Sequence, residues 1–262
     1  MHCAFCILHY LWPAMSVYSR LISARKDSKK LFAVLVDPDK IDTSSAERLA
    51  LAAAEAGVDF LFVGSSLLLN GTLDECLKTL RKHCNIPLVL FPGNTMQVSH
   101  YADAILFLSL ISGRNADMLI GKQVLAAPVL KSSKLEIIST GYMLIDPGHL
   151  TSVTYMSNTI PIPHDKNDIA VSTAWAGELL GMKLLYMDAG SGARHTISCS
   201  MVEAVSKNAA LPLIVGGGIK TPEKALELCT AGADVIVVGN SIEKDPGIIT
   251  AMSDAIHSFQ VS

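Results

Sequence analysis

The chain has 262 residues, half of them hydrophobic and only 17% charged, with a net charge of −3 at pH 7. That apolar content excludes a disordered chain, and a pI near 6.2 leaves no electrostatic footprint for nucleic acid. No apolar run reaches the ~18 residues that a membrane span needs.

The six cysteines are scattered rather than grouped, which suits reduced thiols in a cytoplasmic protein. His2, Cys3, Cys6 and His9 imitate a metal site in an apolar opening segment that lacks the basic start of a signal peptide. Met15 offers a second start before an amphipathic helix. Residues 1–14 are therefore expected to be an extension with no role in the fold, and 15–262 a single domain.

Beyond that point β-rich runs alternate with helical stretches. The runs 31–36 (LFAVLV), 58–63 (VDFLFV) and 86–91 (IPLVLF) precede helices at 44–56 and 72–83 and a short helical segment at 96–101. The run 104–109 (AILFLS) precedes a helix at 116–125, and 135–139 (LEIIS), extending toward 142–145, precedes one at 169–180. The runs 183–187 (KLLYM), 211–215 (LPLIV) and 233–238 (ADVIVV) precede helices at 197–208, 222–231 and 246–258. The runs are continuously apolar, the pattern of parallel strands buried on both faces. Eight such units predict a single (β/α)8 TIM barrel, with a doubly wound open sheet as the alternative. One long irregular stretch, 146–167, interrupts the fifth unit and reads as a lid or binding loop.

In a barrel the chemistry sits at the C-terminal ends of the strands. The first run ends in Val36-Asp37-Pro38-Asp39-Lys40, two carboxylates and a lysine that suit Mg²⁺ shared with a phosphate, or else an Asx-Pro turn capped by Asp39. The second ends in Gly64-Ser65-Ser66, whose hydroxyls suit an ion or a phosphate. The third and fourth ends, Phe91-Pro92-Gly93-Asn94 and Leu108 to Ser112, read as core or as the wall of an apolar channel, core being the simpler.

The sixth run ends in Tyr186-Met187-Asp188-Ala189-Gly190-Ser191-Gly192. There Asp188 can accept a proton, and Tyr186 and Ser191 can hydrogen-bond a polar substrate. The seventh and eighth ends carry Gly216-Gly217-Gly218 and Gly239-Asn240. Glycines there let a phosphate approach backbone N–H groups, and the loops after the last two strands are where barrels commonly place one.

In order along residues 30–245, the segments VDPDK, VGSS, LFPGN, YADAILFLSLISGRN, TGYMLIDPG, PIPHDK, YMDAGSGA, VGGGI and VGN resemble the geranylgeranylglyceryl phosphate synthase family, in its archaeal-like branch that also occurs in bacteria. The resemblance implies a TIM-barrel prenyltransferase. It joins sn-glycerol 1-phosphate to a long polyprenyl diphosphate, geranylgeranyl diphosphate by family habit, forms an ether and releases diphosphate with Mg²⁺. It places Mg²⁺ at Asp37 and Ser66, with Ser65 as the competing hydroxyl. It places glycerol phosphate on Tyr186, Met187, Asp188, Ala189, Gly190, Ser191 and Gly192, with phosphate contacts at Gly217, Gly218, Gly239 and Asn240. Asp188, as catalytic base, stands where the family usually has Glu. The resemblance further implies a cytoplasmic homo-oligomer, dimer or hexamer, that delivers its product to a membrane. The rival readings are another phosphate-binding barrel enzyme, an isomerase or lyase, and an FMN-binding barrel.

Overall fold

The computed structural model describes residues 15–259. The Cys3/Cys6 segment and residues 260–262 lie outside them. Eight parallel strands close in chain order: β1 (Leu31–Val36), β2 (Phe60–Val63), β3 (Leu88–Leu90), β4 (Ala104–Leu110), β5 (Glu136–Leu144), β6 (Leu184–Asp188), β7 (Leu213–Gly216) and β8 (Val235–Val238). Pairing of Leu31–Val34 with Val235–Val238 closes the ring, so the sheet is a barrel and not open.

Side-chain parity explains why the runs are continuously apolar. Ala33, Phe60, Phe62, Leu106, Ile138, Tyr142 and Tyr186 fill the interior, while Phe32, Val34, Leu61, Leu88, Met187, Val215 and Ile236 meet the helices. Both faces are removed from water, and each large apolar side chain so buried contributes roughly 1.5–3 kcal/mol relative to exposure.

The helices are α1 (Val17–Lys26), α2 (Thr43–Glu55), α3 (Leu73–His83), α4 (Lys122–Ser132), α5 (Ser152–Ser157), α6 (Asn167–Leu179), α7 (Cys199–Asn208), α8 (Pro222–Thr230), α9 (Asn240–Lys244) and α10 (Ile248–His257). Short polar residues start several of them: Ser16, Asp42, Ser198 and Thr221 each accept a backbone N–H three residues on. Helix α1 plugs the N-terminal end. Val17 and Leu21 join the interior cluster, and Glu136 accepts the N–H groups of Val17 (2.7 Å) and Tyr18 (3.1 Å). Access is left to the C-terminal end.

The structure departs from the sequence expectations in places that shape that end. β2, β3, β7 and β8 begin later than their apolar runs, because residues such as Val58 and Ala233 finish the preceding helix turn by bonding to Ala53 O and Leu228 O. The segment 96–101 is not helical. It is held by the buried Gln97 side chain, which donates to Ser65 O (2.8 Å) and accepts from Gly93 N (3.2 Å). β5 is one uninterrupted strand. The segment after β4 opens as a π-turn (Asp117–Gly121) before α4, which contains Pro128. The loop 146–167 carries the short helix α5, and a further short helix, α9, follows β8 directly.

Candidate active site

The C-terminal mouth opens into one cavity of about 1160 Å³. Small-molecule sites typically measure about 300–1,000 Å³, so this one has room for more than a small polar substrate. Its lining changes character along its length. One end is glycine-rich backbone, the middle is acidic, and the far end is apolar.

The glycine-rich end is formed by the loops after β6, β7 and β8. Gly192, Gly217, Gly218, Gly239 and Asn240 line it together with Ser191. Gly192 (φ +77°), Gly217 (φ +87°) and Gly218 (φ +72°) adopt left-handed conformations that a side chain disfavours. A Cβ on Gly217 would also lie 2.6 Å from Ala189 N and 2.7 Å from Asp188 Oδ1. That glycine therefore lets the β7 loop pass directly over the β6 loop. The Ser191 hydroxyl donates to Asn240 Oδ1 (2.9 Å), tying the β6 loop to the start of α9.

Asp188 ends β6 with its side chain in the interior phase, and it is 7% exposed. Tyr142 donates its hydroxyl to Oδ2 (2.5 Å) and Gly190 donates its N–H to Oδ1 (2.7 Å). Burial pushes the carboxyl above its ordinary value, against the pull of those two donors. Beneath it, Phe91, Tyr142 and Tyr186 form an aromatic floor, with Phe91–Tyr186 centroids 4.9 Å apart and the two tyrosines edge-on at 5.5 Å. Burial and the neighbouring Asp188 charge hold both phenols well above their usual range.

Asp37 follows β1. Its Oδ2 accepts from the Ser65 hydroxyl (3.0 Å) and meets Lys40 Nζ at 3.1 Å, and its Oδ1 accepts from Asp39 N (3.2 Å). Of the two candidate serines, Ser65 carries the hydroxyl on Asp37, while Ser66 lines the same cavity. Asp39 is committed elsewhere. It accepts from Leu69 N, Asn70 N and the Thr72 hydroxyl, which keep its carboxyl below the usual range, with Leu69 N the strongest influence. The two-carboxylate reading of VDPDK thus reduces to Asp37, and Asp39 pins the loop after β2. Among the described residues no three His, Cys, Asp or Glu side chains gather as a self-sufficient metal cage. One carboxylate beside a hydroxyl still suits Mg²⁺, which keeps its waters and shares substrate phosphates.

The apolar end exists because no helix follows β3. The outward-facing Ile105 and Phe107 of β4, which a helix there would cover, line the cavity with Met118, Ala126 and Leu130. The ends of β3 and β4, read more simply as core, are channel wall: Phe91, Pro92, Leu108 and Leu110 all face the cavity. Leu150, Val153 and Met156 from the α5 loop complete the wall.

The structure separates the expected binding run by strand parity. Tyr186, Asp188, Ser191 and Gly192 face the cavity. Met187 and Ala189 pack in the outer layer against the helices, and Gly190 acts by holding Asp188. Sequence reasoning missed Tyr142 as a partner of Asp188. Its signal was available, since Ile138, Tyr142 and Leu144 share the inward phase of β5.

The PcrB family model matches residues 24–259. The chain is 54% identical over 242 residues to geranylgeranylglyceryl phosphate synthase of Chitinophaga pinensis, covering 92% of this chain and 96% of that one. It is 44% identical over 230 residues to the synthase of Korarchaeum cryptofilum, covering 88% and 93%. Among solved structures, (S)-3-O-geranylgeranylglyceryl phosphate synthase from Thermoplasma acidophilum, in complex with its substrate sn-glycerol-1-phosphate, superimposes with a TM-score of 0.89 at 32% identity, over 94% of this chain and 100% of that one. The tryptophan synthase alpha chain from Legionella pneumophila, at 17% identity and a TM-score of 0.57 over 95% of this chain and 100% of that one, shares the fold alone.

Proposed function

The chain belongs to the PcrB family, and from that premise we propose how its barrel works as a geranylgeranylglyceryl phosphate synthase, joining sn-glycerol 1-phosphate to a polyprenyl diphosphate and releasing diphosphate. The observation that carries the proposal is the single cavity that joins glycine-rich loops, a buried carboxylate and an apolar channel.

The phosphate of glycerol phosphate rests on the backbone of the loops after β6, β7 and β8, at Gly192, Gly217, Gly218, Gly239 and Asn240. Held there, the glycerol reaches back toward Asp188. Fixing one end of the substrate pre-orients the hydroxyl and saves much of the entropy of a two-substrate encounter. Asp188 accepts the hydroxyl proton as the oxygen attacks the allylic carbon. A carboxyl raised by burial is a stronger base than one in water. Tyr142 and Gly190 hold its two oxygens and leave lone pairs for the substrate. The prenyl tail lies along Phe107, Met118, Ala126 and Leu130. Asp37, with the Ser65 or Ser66 hydroxyl, is the place for Mg²⁺, which when bound offsets the charge of the leaving diphosphate.

The same proposal makes the protein a cytoplasmic homo-oligomer that hands its product to a membrane. Supporting contact between copies, α4 and the turn before it expose Ile120, Val124, Leu125 and Val129. No helix among the described residues is long and apolar enough to cross a membrane. The test is transfer of label from sn-glycerol 1-phosphate into solvent-extractable lipid with polyprenyl diphosphates of graded length and added Mg²⁺. Extractable ether product is expected. A folded protein that makes none with any chain length sinks the proposal.

A further inference from the structure

Lys40 of the VDPDK segment is a charged residue of the cavity that the mechanism above does not use. It stands at the cavity mouth with its side chain 52% exposed. Its Nζ lies 3.1 Å from Asp37 Oδ2 and 3.7 Å from Glu243 Oε2. Those two carboxylates come from the β1 loop and from α9, so the ammonium bridges the acidic middle of the cavity and the loops read as a phosphate cradle. Asp37 Oδ2 already accepts from Ser65, so Lys40 supplies the positive charge on that oxygen.

A divalent cation on Asp37 and an ammonium about 3 Å from the same oxygen repel each other strongly even in a well-screened site. Lys40 cannot keep its position when the metal arrives. Its four-carbon stem and half-exposed setting let it swing, and Glu243 holds it at the mouth beside Gly239 and Asn240. The incoming charge there is phosphoryl oxygen. We propose that Lys40 is an exchangeable counter-ion, occupying Asp37 in the empty site and moving to phosphoryl oxygens of the substrates when the metal takes Asp37. It thereby links metal binding to the binding of a substrate phosphate. This rests on the reading of Asp37 as the metal residue.

Calorimetric titration of the full chain tests it, using Mg²⁺ alone, then inorganic pyrophosphate with Mg²⁺, then sn-glycerol 1-phosphate. Lys40→Gln is expected to bind Mg²⁺ alone more tightly than the parent, because its competitor is gone. It is expected to bind one of the two phosphate ligands at least about tenfold more weakly, the size of one lost charge-assisted hydrogen bond. Loss confined to pyrophosphate identifies the diphosphate as the second partner, and loss confined to glycerol phosphate identifies that phosphate. Either supports the exchange. Lys40→Arg should restore the phosphate affinity while leaving Mg²⁺ binding weak. Unchanged Mg²⁺ affinity in a folded Lys40→Gln, or unchanged affinity for both phosphates, overturns it. Asp37→Asn separates the premise. If that variant binds Mg²⁺ as well as the parent, the metal reading falls, whereas a defective Asp37→Asn beside an indifferent Lys40→Gln removes only the exchange.

Discussion

Both rims of the barrel carry acidic residues, yet the two sets have different partners. At the N-terminal rim, Asp59, Asp103 and Asp234 each stand just before a strand and accept an N–H from the first or second residue of the neighbouring strand: Phe32 N (2.8 Å), Leu88 N (2.7 Å) and Leu213 N (2.9 Å). Each also has a basic partner. His257 Nε2 lies 2.9 Å from Asp59, Arg81 pairs with Asp103, and Arg25 and Lys30 approach Asp234 to 3.6 and 3.8 Å. At the C-terminal rim, Asp188 is more deeply buried than any of the three, and its hydrogen-bond donors are a neutral phenol and a backbone N–H. Charge at the bottom fixes strand register. Charge at the top is kept under-compensated at Asp188, the arrangement expected where a group must react, while Asp37 on the same rim pairs with the half-exposed Lys40.

The contrast can be broken most forcefully at Asp188. Asp188→Asn keeps the shape and removes the base, so turnover should fall by about 10²–10⁴-fold, measured where chemistry limits the rate. A drop of only a few-fold makes Asp188 a positioning group and leaves the proton to water or the departing diphosphate. A smaller loss, roughly tenfold or more, is expected for Tyr142→Phe, which removes a hydrogen bond to a charged group. That donor lowers the Asp188 carboxyl, so the acid limb of the rate–pH profile should move to higher pH. A limb that stays in place would limit Tyr142 to packing.

At the other rim the effects should reverse. Asp234→Ala strands the buried Leu213 N–H, which costs about 1–3 kcal/mol. Chemical denaturation should show that loss with turnover near the parent's. An inactive but fully stable variant would erase the division between rims. The smallest effect belongs to the His257–Asp59 pair. The hydrogen bond that the imidazole donates to Asp59 raises it above 6.5. Its stabilisation should therefore be complete below that value and fade as pH rises through the raised one. Being partly exposed, the pair should contribute under about 1 kcal/mol, read as a melting difference from His257→Gln that vanishes at alkaline pH.

Much of this was legible in the sequence, for reasons the comparison makes plain. Continuous apolar runs such as LFAVLV can be buried only on both faces, so the barrel followed from pattern. The glycines at 216–218 mark positions where backbone must pass close to backbone, and Asp188 stands out beside its own glycine loop. The segments AGVDF and AGADV show their glycine turns, but the aspartate in each acts on a strand distant in sequence. Phe32 is 27 residues from Asp59, and Leu213 is 21 from Asp234. The Tyr142–Asp188 bond spans 46 residues for the same reason. The turn structure at 96–101 was hidden because Gln97 makes its bonds to Ser65 and Gly93 through side-chain atoms. That hid the open face of β4 as well, so the ends of β3 and β4 read more simply as core than as the wall of an apolar channel.

The division of labour between the rims is tested most directly by melting the parent and Asp188→Asn side by side, from neutral pH down to the ordinary carboxylate value of 3.8. A carboxyl raised by burial costs stability while ionised, and the cost is relieved as the native state takes up its proton between the raised value and 3.8. The variant should therefore melt no lower than the parent at neutral pH, and any advantage should shrink as pH falls through that window. A variant that melts well below the parent at neutral pH would contradict the account, because Asp188 would then be holding the fold together as the acids of the lower rim do.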